Sequence, residues 1–229
     1  MNSEPALLQL WGRLLTFRAR FEDYQSLGGR QLILGLFVCW IVGMGRYWDD
    51  PRAILLQKAG VGSVIYVFLL AALLWLTVKP IAPERFSYLG ILTFVTMTSP
   101  PAMLYAIPVE KWMTLEAANQ MNLRFLGIVA LWRLCLWIHY LRRYGRFTGL
   151  MASVAATLPL AFIFIALIEV NLHHVVFNIM GGIREADQSS QDAAYSAMWV
   201  FGLLAFPVSC FAGIGWCVLV YQNWRDWKR

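Results

Sequence analysis

Between Lys58 and Lys79 the chain reads AGVGSVIYVFLLAALLWLTV, residues 59–78, without a charged side chain. The hydrocarbon core of a bilayer is about 30 Å thick and an α-helix rises about 1.5 Å per residue, so about 20 apolar residues cross it. This stretch has that length and contains neither a charge nor a proline. It therefore predicts a membrane-spanning helix.

The composition of the whole chain agrees with a membrane protein. Of its 229 residues, 59% are hydrophobic and 14% are charged, and the mean hydropathy is +0.58. A soluble domain carries about 25% charged residues. A soluble globular enzyme, a disordered tail and a disulfide-stapled secreted module are therefore excluded. Because the polar and apolar residues do not alternate as in a membrane barrel, the sequence predicts an all-α polytopic helical bundle.

Five further stretches have a length and composition close to those of residues 59–78. The sequence thus predicts six transmembrane helices, at residues 31–47, 59–78, 86–107, 122–141, 148–168 and 193–221. The first is the weakest, because it is short and interrupted by Gly35, Gly43 and Gly45. The predicted organisation is an amphipathic segment over residues 1–30, the six-helix domain over residues 31–221 and a basic, aromatic tail over residues 222–229.

The distribution of positive charge predicts an orientation. Most of the 19 Lys and Arg residues lie in the N-terminal segment, the second and fourth connections and the C-terminal tail. Positive residues are retained on the cytoplasmic side, so both termini are expected to be cytoplasmic, in a bacterial inner or plasma membrane. The net charge of +6 is divided among these segments. This pattern favours anionic membrane lipids as partners and argues against nucleic acid.

The N-terminal segment predicts one helix. Ser3 can cap it, apolar residues then recur at three- and four-residue intervals from Leu7 to Tyr24, and Gly28 ends it. Such a helix can lie on the cytoplasmic leaflet with Arg13 and Arg20 facing lipid headgroups. The alternative is that it packs against the bundle or against a membrane-protein partner.

Arg133 lies near the middle of the predicted fourth span, where a guanidinium costs at least about 2.5 kcal/mol. Pro100 and Pro101 in the third span each leave free the carbonyl four residues earlier, on Thr96 and Met97. We expect Arg133 to donate to these carbonyls and to Thr98 or Ser99. This arrangement would serve as a structural lock or would hold an anionic ligand.

The end of the fifth span carries a second polar cluster. Glu169 and His173 are four residues apart on one helix face, and His174 points elsewhere. These two ligands could bind a divalent metal if Asp49 or Asp50 completed the site. His173 could instead relay protons, and ordinary hydrogen bonds at a helix end explain the same residues.

A third polar group lies in the connections that the sequence places on the outer face. The aromatic residues there predict a membrane-interface belt. The functional alternative is that the charged residues and the histidine converge on one external cavity, where neighbouring carboxylates would separate into acid and base roles. The members of that cavity would be Arg46, Asp49, Asp50, Glu110, Glu169 and His173.

Three classes of function fit these features. The first is a non-catalytic subunit or scaffold that binds lipid or a partner, and we favour it. The second is a membrane-embedded enzyme that acts at the outer interface on a lipid-type substrate. Its predicted site residues are Glu169, His173, His174 and the pair Asp49 and Asp50, with His174 also a candidate ligand-binding residue. The third is a small transporter or channel that uses Arg133 and the kink at residues 96–101. All four cysteines lie in predicted spans, and the chain carries none of the common nucleotide, nucleophile or metal motifs.

Overall fold

The computed structural model describes residues 7–48, 53–169 and 193–227, and every regular element within them is helical. Two 3₁₀ helices, Pro100–Ala106 and Val109–Lys111, follow the sixth α-helix. In chain order, the α-helices are α1 Leu7–Leu15, α2 Phe21–Gln25, α3 Gly29–Gly45, α4 Leu55–Lys58, α5 Val61–Val78, α6 Tyr88–Met97, α7 Leu115–Arg143, α8 Gly149–Glu169 and α9 Ala193–Trp227. The predicted all-α class is confirmed for the described residues.

Among the described residues, four helices are long and apolar enough to cross a membrane. They contain the segments Val61–Val78, Gln120–Arg143, Gly149–Ala166 and Leu203–Arg225. These correspond to the predicted second, fourth, fifth and sixth spans. The last of them extends beyond its predicted end, because α9 continues to Trp227 through most of the predicted tail. The helix at the first predicted span, α3, is apolar but has only 17 residues.

The predicted third span is a broken helix. Helix α6 ends at Met97, and the 3₁₀ helix Pro100–Ala106 continues at an angle of 44° to it. The break follows from Pro100 and Pro101, which have no N–H to donate back to the preceding turn. Counted together, the two pieces make a fifth candidate span.

The glycines of α3 allow it to approach its neighbours closely. A Cβ atom on Gly35 would lie 2.5 Å from the Thr96 hydroxyl oxygen of α6, and one on Gly43 would lie 2.6 Å from the Ser63 hydroxyl oxygen of α5. Small residues are enriched where membrane helices pack backbone to backbone. The glycines that weaken α3 as an isolated span are therefore the residues that let it pack against α5 and α6.

The N-terminal segment is divided, and the prediction of one helix ending at Gly28 is wrong. Phe17, between α1 and α2, has a backbone φ of 60°, which no α-helix can contain. Leu10 and Leu14 of α1 are buried in the main core. The cap predicted at Ser3 lies outside the described residues.

Indole hydrogen bonds attach α1 to the bundle. The Trp11 Nε1–H donates to the Met97 carbonyl at 2.6 Å, and the Trp132 Nε1–H of α7 donates to the Leu15 carbonyl at 3.0 Å. Met97 O is one of the carbonyls that the prolines leave without a backbone donor. Helix α1 thus packs against α6 and α7, which is the second of the two alternatives for this segment.

Trp11→Phe should destabilise this attachment. Phenylalanine keeps an aromatic ring but cannot donate to Met97 O, and an unsatisfied buried carbonyl costs about 1–3 kcal/mol. We expect a lower thermal unfolding midpoint in detergent and faster proteolysis between α1 and α2. Leu8→Ala is the control, because Leu8 is exposed. An unchanged unfolding midpoint and cleavage rate in Trp11→Phe would contradict the role of this hydrogen bond.

The aromatic core surrounds Tyr140 of α7, whose exposed fraction is 2%. Its ring centroid lies 4.4 Å from Phe94, 4.9 Å from Tyr24, 5.1 Å from Tyr144 and 5.5 Å from Trp137. This cluster joins α2, α6 and α7 at one end of the bundle, which we call the proximal end. The distal end is the opposite one, where α3 ends and α5 begins.

An ion pair secures α2 at the proximal end. Asp23 is 5% exposed, accepts the Arg20 backbone N–H and pairs with Arg13 of α1 at 3.0 Å. Burial raises the pKa of the adjacent Tyr24 phenol, and the Asp23 carboxylate raises it further. Tyr24 is therefore neutral at physiological pH and acts in the aromatic core as an apolar ring.

Candidate functional site

A cavity of about 220 Å³ lies between α3, α5, the 3₁₀ helix Pro100–Ala106, α7 and α8. Two of its lining residues are the arginines Arg46 and Arg133, and most of the others are apolar. No Asp or Glu is among the described residues of its wall. Two positive charges therefore face one largely apolar space.

Arg133 enters the cavity from the middle of α7. Its Nη2 donates to the Val95 carbonyl of α6 at 3.3 Å. The same carbonyl accepts from the hydroxyls of Thr98, at 3.0 Å, and Ser99, at 3.5 Å. The predicted contact between Arg133 and the kink exists, but the acceptor is Val95 and not Thr96 or Met97. The reason is that Met97 O accepts from Trp11 and Thr96 O accepts the Ser99 backbone N–H. The Thr98 and Ser99 hydroxyls turn back onto their own helix.

Arg46 directly follows α3 at the distal side of the cavity. Its guanidinium carbon lies 4.8 Å from the Tyr105 ring centroid and 5.7 Å from that of Tyr47. Its Nη2 atom is buried and has no hydrogen-bond acceptor within the described part of the chain. The π faces of two tyrosines compensate only part of the cost of burying this charge.

Further donors line the same cavity. The hydroxyl of Ser99 and the phenols of Tyr66 and Tyr105 are in its wall. Trp137 also lines it, is 4% exposed, and has an indole N–H that lacks an acceptor among the described residues. The Tyr105 ring, which carries one of these phenols, is the ring on which the Arg46 guanidinium packs. The polar groups of the wall are thus mainly donors and cations.

Comparison with protein-family models, curated proteins and solved structures finds no match for this chain. The chemistry of the cavity is therefore inferred from the residues that line it. They combine two permanent cations with an apolar wall, which suits a ligand that has an anionic end and an apolar body.

The structure brings together some of the residues for which the sequence predicts a ligand site. Arg133, Ser99 and Arg46 share the cavity, whereas Thr98 is buried beside it and does not line it. Glu110 lies in the 3₁₀ helix Val109–Lys111, and its side chain is outside the described set. His174 lies outside the described residues.

Most residues of the predicted external cavity lie outside the described side chains, so that cavity stays a prediction. The Trp48 indole N–H donates to Ala106 O at 2.9 Å, and the Lys111 ammonium lies 4.5 Å from the Trp48 ring centroid. The end of α3 and the segment before α7 therefore meet at the distal end. Asp49 and Asp50 lie outside the described residues. The described cation of this group, Arg46, faces the Arg133 cavity.

The predicted metal site falls largely outside the described residues. Glu169 is the last residue of α8, its side chain is not described, and His173 follows beyond the described segment. In the part of the chain that the structure describes, no three His, Cys, Asp or Glu side chains form a group that could hold a metal ion. The metal hypothesis therefore stays a prediction.

Sequence reasoning missed the wall opposite Arg133. Cys39 of α3 lies there, 3.6 Å from the Ser63 carbonyl of α5, and Tyr66 is one helical turn further along α5. Ser63 and Tyr66 are three residues apart and share a helix face. This short polar stripe in an otherwise apolar span was the available signal. By itself it did not indicate which helix would face it.

Proposed function

We propose that this protein is a non-catalytic membrane protein that binds an anionic, lipid-type amphiphile in the cavity between Arg46 and Arg133. The observation that carries the proposal is that two guanidinium groups face one apolar cavity whose described wall holds no carboxylate. A bound anion would compensate charges that are otherwise costly at this depth.

The proposal includes the finer membrane arrangement. We propose six spans, with α3 as the first and the bent pair of α6 and Pro100–Ala106 as the third. The positive residues near the proximal end support cytoplasmic termini in a bacterial inner or plasma membrane. Arg85, Arg146 and Glu84 line a proximal cleft in which positive charge is in excess, so anionic headgroups of the cytoplasmic leaflet are the expected neighbours.

A membrane-protein partner remains part of the proposal. Much of α9 is exposed in the isolated chain, with large apolar side chains at Leu203, Phe206 and Phe211. Lipid tails or another membrane helix can cover such a surface. In the N-terminal segment, Leu8 of α1 and Phe17, which follows α1, are exposed positions that a partner could contact.

Arg46→Met should separate ligand binding from folding. The buried Nη2 of Arg46 has no hydrogen-bond partner among the described residues. Replacing this buried charge with an apolar side chain should therefore leave the unfolding temperature unchanged or raise it. Retention of an anionic lipid should fall about ten- to a hundredfold, because a hydrogen bond to a charged group is worth about 1.5–3 kcal/mol. Native mass spectrometry of protein exchanged into phosphatidylglycerol measures the bound lipid.

Arg124→Met is the matched control. Arg124 lies on the same helix as Arg133, is exposed and does not line the cavity. The Arg124→Met substitution removes one positive charge from the protein but none from the cavity. Equal phosphatidylglycerol retention in Arg46→Met, Arg124→Met and the unsubstituted protein would overturn the proposed function.

Transport of the same anion is the second candidate. The observation that favours it is the broken helix at residues 88–106, since discontinuous helices form the substrate sites of many transporters. Flux of a labelled anionic amphiphile between the leaflets of reconstituted vesicles distinguishes the two. If the flux exceeds that of protein-free vesicles and is lost in Arg133→Met, transport and not binding alone is the function of the site.

A further inference from the structure

The cavity between Arg46 and Arg133 also indicates which anion it takes, and this inference rests on the proposed function. We infer that the site is built for a phosphate monoester dianion at the end of an acyl-type chain, with the chain leaving the cavity sideways into the bilayer between α5 and α8. Charge, donor geometry, size and exposure each support one part of this statement.

The charge of the wall favours a dianion. Arg46 and Arg133 are permanently positive, and no described residue of the wall is acidic. A carboxylate or a phosphodiester carries one negative charge and would leave one guanidinium uncompensated in an apolar setting. A phosphate monoester carries close to two negative charges at neutral pH and balances both.

The donors of the wall favour phosphate oxygens. A guanidinium offers five N–H donors in a planar fork that matches phosphate geometry. Arg133 donates one hydrogen bond, from Nη2 to Val95 O. The Nη2 of Arg46 has no acceptor among the described residues. The Trp137 indole N–H, on a wall residue that is 4% exposed, also lacks one. A phosphate monoester has three terminal oxygens that can accept from such donors.

The size of the cavity limits which part of the ligand it encloses. Pockets that bury most of a drug-sized molecule have volumes of about 300–1,000 Å³. The cavity measures about 220 Å³, which is below that range. It therefore accommodates a headgroup and the first part of one chain, and the rest of the chain must lie elsewhere.

The exposed wall residues indicate where the chain leaves. Tyr66 of α5 and Leu160 of α8 line the cavity and are 41% and 37% exposed. Both lie inside segments apolar enough to span the membrane, so an opening between them faces lipid and not water. Pro159 lies in the same wall, where it removes one backbone hydrogen bond of α8. The portal is thus defined by Tyr66 and Leu160.

The headgroup is tested by comparing lipids whose chains are all oleoyl chains. The probes are dioleoyl phosphatidic acid, dioleoyl phosphatidylglycerol, oleate and dioleoyl phosphatidylcholine, titrated into the detergent-solubilised full chain. We expect phosphatidic acid to bind at least tenfold more tightly than phosphatidylglycerol or oleate. Equal binding of all three anions would overturn the headgroup inference and leave the proposed function standing. Equal binding of the three anions and phosphatidylcholine would overturn both.

The pH dependence provides a second readout. The second pKa of a phosphate monoester is about 6, so affinity for phosphatidic acid should fall as the pH drops from 7.5 to 5 and the dianion gains a proton. The titratable groups of the wall are Cys39, Arg46, Tyr66, Tyr105 and Arg133. Phosphatidylglycerol, measured over the same range, reports any titration of the protein itself. A parallel fall for both lipids would contradict recognition of a dianion.

The source of the phosphate is tested with soluble competitors. Inorganic phosphate and glycerol 3-phosphate carry the dianion without the chain. We expect neither to displace phosphatidic acid at a hundredfold molar excess. Displacement by either one would show a site for a soluble phosphate compound and would overturn the lipid part of the inference.

The portal is tested with a bulky substitution. Leu160→Trp should lower the affinity for phosphatidic acid at least fivefold, because the larger side chain narrows the exit for the chain. Leu203→Trp is the control, since Leu203 is an exposed α9 residue that does not line the cavity. Tyr66→Trp, on the α5 side of the portal, serves if Leu160→Trp unfolds. Affinity unchanged in the folded variant would overturn lateral exit at this portal.

Discussion

Tyr140→Ala should be the most destabilising single substitution in the proximal core. Tyr140 is almost fully buried and its ring contacts Phe94 and Tyr24 at centroid distances of 4.4 and 4.9 Å. Truncating a buried aromatic residue to alanine costs about 3–5 kcal/mol, because the contacts are lost and a cavity remains. We expect a large fall in the thermal unfolding midpoint of the detergent-solubilised protein.

Tyr221→Ala is the matched control for this prediction. Tyr221 lies on α9 and is exposed, and its ring packs near Trp224 and not in the Tyr140 cluster. Its truncation should change the unfolding midpoint little. The Tyr221 side chain faces detergent or lipid, and the same surroundings fill the space that it leaves. Similar unfolding midpoints for the two variants would mean that the proximal aromatic cluster does not stabilise the fold.

Gly35→Val should separate α3 from α6. The new Cβ would lie 2.5 Å from Thr96 Oγ1 and 3.1 Å from the Met97 backbone nitrogen, so the side chain of Thr96 alone cannot relieve the clash. Overpacking of this kind costs about 1–3 kcal/mol and more when backbone must shift. We expect a lower unfolding midpoint together with weaker lipid retention. Lipid retention falls because the displaced segment carries Val95, whose carbonyl accepts from Arg133, and Ser99, which lines the cavity.

Gly127→Val is the control for Gly35→Val. Gly127 lies within α7, and a Cβ there would meet nothing within 4 Å. Both substitutions introduce the same β-branched residue into a helix, so their difference reports packing and not helix propensity. Equal effects on the unfolding midpoint would show that the approach of α3 to α6 is not limited by Gly35.

The sequence predicted the spanning helices where the apolar runs are long and uninterrupted. Residues 59–78 contain no charge and no proline, and α5 occupies Val61–Val78. It also predicted that Pro100 and Pro101 would disturb the third span, since the missing N–H is a property of the residue itself. The angle of the resulting bend and the 3₁₀ geometry after it depend on packing against α3 and α7.

The Arg133 site was predicted in part for a similar reason. A guanidinium in the middle of an apolar run requires a polar partner, and the kink at residues 96–101 was the nearest source of free carbonyls. The sequence could not indicate that Trp11, 86 residues from Met97, would occupy one of those carbonyls. It also treated Arg46 as an interfacial residue, because no local pattern shows that α3 ends beside the 3₁₀ helix Pro100–Ala106.

What the sequence determined alone is therefore the set of elements that carry their own signal: apolar runs of bilayer length, prolines without an N–H, and charges too costly to leave without compensation. Only the tertiary structure decided that Arg46 and Arg133 share one cavity, that the glycines of α3 are contact points, and that α1 packs into the bundle. The physical reason is that these are relations between helices. An apolar helix face is as favourable against lipid tails as against another apolar helix. The hydropathy of the sequence therefore does not specify which faces meet.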